Sequence, residues 1–377
     1  MVRNVLISGA GVAGLALAYW LGKAGFHVTL VETQPAFRRG GQAVDIRGVA
    51  LDVVRAMGLL DKARALRTRL KGMSLLDAQG VEVGRTLERT FSAGRLDSPD
   101  IEIFRDDLCE LLMGALADHT EIVYGDSIQG LTEAQDHVAV TLASARQRTF
   151  DLVIGADGIY SATRKLWFDE EANVVKSLDV VLALFTTPNL IGLSDWQVMH
   201  RVEGLGVVIY PSRDQTELRV SAGFGSGGIA MPRGDIDAQK ATIRSHCAHL
   251  GGDFATVFHA LDETSSLYYN ELAQIRMPRW SRGRVGLVGD AAHCASPFSG
   301  QGTSLALVGA FVLGRELAKH PGQPSLAFDH YERRMRPFVL MNQDMVDVTR
   351  LGPVPDEVMA RSKNGIELSD LLESVAQ

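Results

Sequence analysis

The sequence predicts an α/β fold, a Rossmann-like parallel sheet interrupted by an inserted mixed β-sheet and closed by a long C-terminal helix. Three observations predict it. A glycine-rich turn, Gly9-Ala10-Gly11-Val12-Ala13-Gly14, lies between a short apolar run and an apolar segment of helix length. Strand-like runs separated by Gly-, Pro- and Asp-containing turns recur from Ser177 to Tyr269. A long amphipathic stretch, Ser325–Val348, follows the linker Pro321–Pro324.

The opening stretch carries the most information. Val5–Ser8 reads as a buried parallel strand, Leu15–Ala24 as a helix stopped by Gly25, and Phe26–Val31 as a second strand with Glu32 at its end. In this G-x-G-x-x-G pattern Gly9 permits the tight turn and Gly11 lets the backbone approach a pyrophosphate, while Gly14 allows helix and strand to pack closely. Ala13 lies in the same turn. The helix N-terminus offers unpaired N–H groups and its positive dipole end to phosphates, and Glu32 can accept hydrogen bonds from a ribose hydroxyl. The pattern specifies a dinucleotide, but neither which one nor what chemistry.

Beyond Glu32, the polar stretch Thr33–Gly48 reads as a loop. Its Arg38, Arg39 and Arg47 could meet phosphate or a nicotinamide cofactor, or form a solvated basic loop. Helical patterning follows at Val49–Met57 and Leu60–Leu70. Met73–Leu76 and Val81–Thr86 flank Asp77–Gly80 as a hairpin. Ile101–Phe104 is a strand, Arg105–Ala117 an amphipathic helix, and Glu121–Tyr124, Ile128–Thr132 and Val138–Leu142 read as a small antiparallel meander. Phe150–Ile154 is an apolar strand ending in Gly155-Ala156-Asp157-Gly158.

In the inserted region the strand-like runs are Val180–Phe185, Gln197–His200, Gly206–Ile209 and Leu218–Phe224. Gly223–Gly228 resembles a phosphate loop superficially, but Met231-Pro232-Arg233-Gly234 prevents a following helix, so it reads as a turn. Val285–Gly289 returns to a buried parallel strand, followed by Asp290-Ala291-Ala292-His293, the loop Cys294–Gly302 and the apolar helix Thr303–Leu317. The tail beyond Gly352 offers only a possible helix at Leu368–Val375. The expected division is a discontinuous nucleotide domain over 1–70, 94–172 and 270–322, a substrate domain over 73–91 and 173–269, and a C-terminal brace over 323–377.

Composition excludes several classes. With 377 residues the chain is long for one core, and 46% hydrophobic with 22% charged residues is ordinary for a globular protein. A net charge of −7 without a basic run argues against nucleic acid. Cys109, Cys247 and Cys294 are far apart, with no C-x-x-C; this argues against a disulfide framework or a zinc site and fits a reducing compartment. No apolar run reaches membrane-spanning length, and the N-terminus opens on a strand rather than a leader. The expectation is a cytoplasmic protein, a monomer or weak homo-oligomer, with neither nucleic acid nor membrane among its partners.

Three motifs stand together: the first glycine loop, Asp157-Gly158-Ile159-Tyr160-Ser161-Ala162-Thr163-Arg164, and Gly289-Asp290 with Pro297 and Gly300-Gln301-Gly302. This set resembles the class A flavoprotein aromatic hydroxylases of the p-hydroxybenzoate hydroxylase fold. The layout is most similar to the tetracycline-inactivating and polyketide-modifying members. The resemblance implies tightly bound, non-covalent FAD, with Gly9, Gly11, Ala13, Gly14 and Glu32 at its ADP part and Arg105 at the ribityl or pyrophosphate portion. It places Asp157 and Gly158 near the pyrophosphate and Gly289 and Asp290 at the ribityl chain. Pro297, Gly300, Gln301, Gly302 and Thr303 would lie along the isoalloxazine.

The implied activity is monooxygenation of an aromatic or polycyclic small molecule through a flavin C4a-hydroperoxide. Transient NAD(P)H is the reductant and O₂ the oxidant. The flavin then carries the chemistry, and no side chain is expected to be catalytic. A flavin that swings between two positions would need room from the loops at Gly40–Arg47 and Pro297–Gly302. The chain departs from the family where Ser304 and Gly309 replace an Asn and an Asp, and where Thr33 replaces an Arg; this weakens any assignment of a nicotinamide site. His293 reads as structural, and Cys294 has no base or metal partner in the sequence. Two other readings remain: a FAD-dependent reductase of the same fold without oxygen insertion, and a non-catalytic flavin-binding protein.

Overall fold

The computed structural model describes residues 3–37, 40–168, 174–228, 234–264, 267–350 and 353–373. Arg38 and Arg39, Met231-Pro232-Arg233 and the end of the expected final helix lie outside them.

A six-stranded sheet carries the nucleotide motifs. Its order is Ser281–Arg282, Val285–Leu287, Leu152–Gly155, Asn4–Ser8, His27–Glu32, Glu121–Tyr124, and all pairings are parallel except at the Ser281–Arg282 edge. The central strands are apolar on both faces because helices cover one side and the antiparallel meander of Ile128–Glu133, Val138–Leu142 and Gln147–Phe150 covers the other. The helix Val12–Lys23 is buried continuously from Ala13 to Leu21, since it lies between this sheet and the helix Gly302–Lys319. The two helices cross closely: a side chain on Gly314 would begin 2.7 Å from Trp20 Cβ. The register aligns the strand ends. Ser8 pairs with both Val31 and Gly155, and Gly155 pairs with Leu287. Three motif loops therefore leave adjacent strands at one level, where open α/β sheets bind ligands.

The second sheet has seven strands, in the order Leu267–Ile275, Val175–Pro188, Glu217–Gly225, Leu205–Pro211, Gln197–Val202, Met73–Leu76, Glu82–Thr86. It is antiparallel apart from the pairing of Gln197–Val202 with Met73–Leu76. The expected hairpin thus extends this sheet. Alternation divides its faces: Val181, Ala183, Phe185, Val207, Ile209, Val220 and Ala222 pack into a core with the helices Ile236–Cys247 and Gly252–His259. On the other face Met199, Val208 and Tyr210 pack on Phe104.

Several elements differ from the sequence reading. Glu121–Tyr124 is not in the meander; it is the parallel edge strand beside His27–Glu32. The third meander strand is Gln147–Phe150, and the apolar run divides at Asp151 before the central strand Leu152–Gly155. The loop Thr33–Gly48 contains a strand, Ala43–Ile46, paired antiparallel with Ile101–Phe104. Leu60–Ala65 is shorter than expected. The helices Ile236–Cys247, Gly252–His259 and Asp356–Lys363 went unread. Gly223–Gly225 completes a strand, and the chain turns only at Gly227-Gly228. The brace is Pro324–Asp344, packed along Gly302–Lys319, and Ser369–Glu373 forms a final short helix.

Candidate functional site: three loops at the strand ends

The first loop is held by contacts that only glycine permits. Gly9 has φ +104°, and a Cβ there would lie 2.6 Å from the Ala156 carbonyl oxygen; a Cβ on Gly14 would lie 2.0 Å from the Gly9 oxygen. Gly11 differs. The one atom within reach of its Cβ position is a guanidinium nitrogen of Arg105, at 4.0 Å. Arg105 opens the helix Arg105–Met113 and makes no hydrogen bond or ion pair to another described residue through its guanidinium. Gly11 and Arg105 therefore bound an open space beside the start of the helix Val12–Lys23, which no side chain caps. Glu32 braces the loop: its carboxylate accepts from the N–H of Ala10 at 3.0 Å and of Gln34 at 2.9 Å.

In the second loop the Asp157 carboxylate is occupied by its own chain. It accepts from the Thr163 N–H and hydroxyl, both at 2.9 Å, and from the Ser161 hydroxyl at 2.5 Å. These bonds shape the turn through Gly158, which has φ +78°. Asp157 thus positions the loop, and the backbone at Gly158 is what it can present. Arg164, 1% exposed, donates to the Ala291 carbonyl at 2.9 Å and to the Ile159 carbonyl at 2.6 Å. It ties the second loop to the third, and its place in the motif gave no separate signal of that task.

The third loop meets the first at Gly289, where φ is +64° and a Cβ would lie 2.7 Å from Ala13 Cβ. Asp290 is open to solvent although protein surrounds it, and that enclosure pushes its carboxyl above the ordinary range against a hydrogen bond with Cys294. The Cys294 thiol is buried and raised well above its usual value, so it is no thiolate nucleophile. His293 is buried against Trp280 with Nε2 3.2 Å from the Tyr331 hydroxyl, and burial lowers its pKa to about 3. A neutral, packed imidazole fits the structural reading.

Pro297–Ser299 forms a 3-10 turn, Gly300 takes φ +60°, and the helix starts at Gly302. Pro297 is exposed, whereas Gln301 is fully buried and donates to the Met359 sulfur at 3.2 Å. No side chain caps this helix either, and nothing lies within 4 Å of a Cβ built on Gly302. The start of this helix at Gly302 thus borders a second open space, at the positive end of the helix dipole.

Under this loop lies Arg47, which the sequence offered as a phosphate or nicotinamide contact or as a solvated loop residue. A Cβ on Gly300 would lie 3.6 Å from the Arg47 guanidinium carbon, and one on Gly94 3.3 Å from its Nη1. Arg47 is buried, paired with Asp45 at 2.8 Å, and donates to the Ser92 carbonyl at 3.0 Å. It is therefore not a solvated basic loop residue. Ser304, at the position of a family asparagine, accepts from the Arg47 N–H at 2.9 Å and joins the helix start to the strand Ala43–Ile46. Nearby Glu102 has its carboxyl pushed up to about 7, first by burial and then by Asp45. The alternating Asp45 and Arg47 could have signalled a strand with a charged face, had the surrounding glycines not masked it.

The face of the seven-stranded sheet that carries Met199, Val208 and Tyr210 turns toward the strand pair Ala43–Ile46 and Ile101–Phe104. It docks through Tyr210, whose hydroxyl donates to Gln42 at 2.7 Å and accepts from the Ala43 N–H at 3.0 Å. Leu182, Leu184, Ser221 and Gly223 on that face are only partly buried.

Comparison with known proteins gives a consistent set of relatives. Residues 3–345 match the family model described as FAD binding domain. An uncharacterized protein of Mycobacterium tuberculosis is 43% identical over 98% of this chain and 100% of its own length. A flavin-dependent monooxygenase of Legionella longbeachae is 35% identical, covering 94% of this chain and 91% of its own. Among solved structures, the tetracycline destructase Tet(55) superposes with a TM-score of 0.87 at 31% identity, over 97% of this chain and 98% of that one. Tet(51) does so at 0.85 and 30%, over 100% and 97%.

Proposed function

The chain belongs to the FAD-dependent monooxygenases of the class A aromatic hydroxylase family, and from that premise we propose that it hydroxylates an aromatic or polycyclic small molecule at the expense of NAD(P)H and O₂, with tetracyclines among the candidate substrates. The observation that carries this reading is the pair of open spaces at Gly11 and Gly302, each beside an uncapped helix N-terminus. They fit FAD: a pyrophosphate at the first, with Arg105 supplying positive charge, and the pyrimidine edge of a flat ring at the second. Bound FAD supplies the electron transfer and oxygen-transfer chemistry.

The chain's own residues bind and orient. Ala10 and Glu32 hold the glycine turn, and Asp290, enclosed but solvent-reached, is placed to accept ribityl hydroxyls. The Gly302 and Thr303 N–H groups stabilise negative charge at the ring edge without donating a proton through a side chain. The partly buried face bearing Leu182, Leu184, Ser221 and Gly223 offers an apolar platform with a few polar groups, which suits a flat polycyclic substrate. We assign 1–70, 94–172 and 270–322 to FAD, 73–91 and 173–269 to substrate, and 323–377 to bracing.

The test is a panel of tetracyclines and other polycyclic phenols with FAD-loaded protein. The expected result is compound-stimulated NAD(P)H oxidation with a product heavier by one oxygen atom. NAD(P)H-dependent reduction of the compound without oxygen uptake would instead mark a reductase of the same fold.

A further inference from the structure

The helix that starts at Gly302 ends in a second polar cluster, about 21 Å from that start at about 1.5 Å per residue. Glu316 sits on its last turn and His320 caps it four residues on, so both side chains lie on one helix face. The chain then reverses: the His320 N–H donates to the Glu316 carbonyl at 3.1 Å, the Gln323 N–H to the His320 carbonyl at 3.0 Å, and Gly322 takes φ +85°. The returning helix Pro324–Asp344 brings His330 alongside.

Glu316 Oε2 lies 3.5 Å from His320 Nε2 and 3.3 Å from His330 Nδ1. The three potential ligand atoms lie within 4.8 Å of one another, and the imidazoles meet edge to face with centroids 4.9 Å apart. A charge-assisted hydrogen bond contracts to about 2.7–2.9 Å. Ligands at about 2.0–2.1 Å around a tetrahedral zinc ion stand about 3.3–3.4 Å apart. The 3.5 and 3.3 Å separations from Glu316, the shorter of which also permits a hydrogen bond with His330, lie near the second value. Glu316 is 4% exposed, and its only ion-pair partners among the described residues are these two histidines. Arg334 faces it from the returning helix, but its guanidinium is held by both oxygens of Asp370, at 2.7 and 2.8 Å, and Lys319 also faces Asp370. Both imidazoles remain partly exposed, which gives an ion a route in and leaves room for a water as fourth ligand.

We propose that Glu316, His320 and His330 bind a divalent transition-metal ion of the zinc class, which staples the helix behind the flavin edge to the C-terminal brace. Two imidazoles and one carboxylate suit Zn²⁺ or Co²⁺ better than Ca²⁺ or Mg²⁺. The cysteine spacing pointed away from zinc because these ligands come together only through the helical hairpin.

The experiment titrates tag-free, FAD-loaded protein with Zn²⁺ by calorimetry and with Co²⁺ by visible spectroscopy. One equivalent should bind, with a tetrahedral Co²⁺ spectrum and a rise in melting temperature. His330→Ala and His320→Ala should each weaken binding more than about tenfold while FAD content stays unchanged. Absence of stoichiometric binding at millimolar Zn²⁺, or binding that survives both substitutions, would overturn the proposal.

Discussion

The motif glycines fall into two physical classes. Gly9, Gly14 and Gly289 are packed so tightly that a methyl group would overlap neighbouring atoms at 2.6, 2.0 and 2.7 Å. Gly11 and Gly302 face open space. Gly14→Ala should therefore destabilise the protein, by about 1–3 kcal/mol in urea unfolding, whether or not FAD is present. Gly302→Val should leave the melting temperature of the flavin-free protein nearly unchanged and weaken FAD binding by at least about tenfold, a loss of about 1.4 kcal/mol. Equal FAD affinity in that variant would remove the ring from this position. Asp290→Ala should lose FAD on gel filtration, whereas Asp157→Ala should show its effect first as lost stability, because that carboxylate is spent on Ser161 and Thr163. The G-x-G-x-x-G spacing made the glycines legible as a set. Which of them touch a ligand is a matter of what stands opposite each one, and that is set by the fold, which puts Arg105 opposite Gly11 and Ala156 opposite Gly9.

At the level of elements, the strand pair Ala43–Ile46 and Ile101–Phe104 links the two sheets and carries the nearly buried Asp45 and the buried Glu102, with the buried Arg47 just past its end. Arg47→Met would leave Asp45 buried without its partner, at a cost of about 3–5 kcal/mol; Asp45→Asn in that background should recover part of the loss. Glu102 gives a pH signature. Its carboxyl titrates near 7 in the folded protein against an ordinary 4.5, so the folded state binds the extra proton. The associated stability is fully present below about pH 4.5 and is lost as pH rises through about 7, amounting to roughly 3 kcal/mol at most. Glu102→Gln should flatten the stability profile between those limits and raise stability at pH 8; an unchanged profile would mean that Glu102 is ionised throughout. This region was hard to read because glycines and charges hid a four-residue strand. Glu121–Tyr124 was legible as a strand from its run of β-branched and aromatic residues, but partner choice is not a local property. The helices at 236–259 lie in a segment where the neighbouring pattern was entirely strand-like.

For the whole molecule, the parallel sheet, the inserted sheet and the long brace were legible because periodicity and glycine placement are local signals. The convergence of residues 9–14, 157–164 and 289–302 was legible only through family resemblance. The folded chain supplies its physical basis: Gly9 rests on Ala156, Ala13 on Gly289, and Arg164 bonds the Ala291 carbonyl. A cofactor held by all three loops should couple to global stability. Saturating FAD should raise the melting temperature, with the gain following the logarithm of free FAD over its dissociation constant. A melting temperature independent of FAD would contradict that coupling. Among the described residues no helix is long and apolar enough to cross a membrane.

FAD-dependent oxygen insertion is tested most directly by turnover of FAD-loaded protein with NAD(P)H and a polycyclic phenol under isotopically labelled dioxygen. One labelled oxygen atom per product molecule, with turnover abolished by removing oxygen, is the expected result. Product that forms anaerobically, or that carries no label, would contradict it.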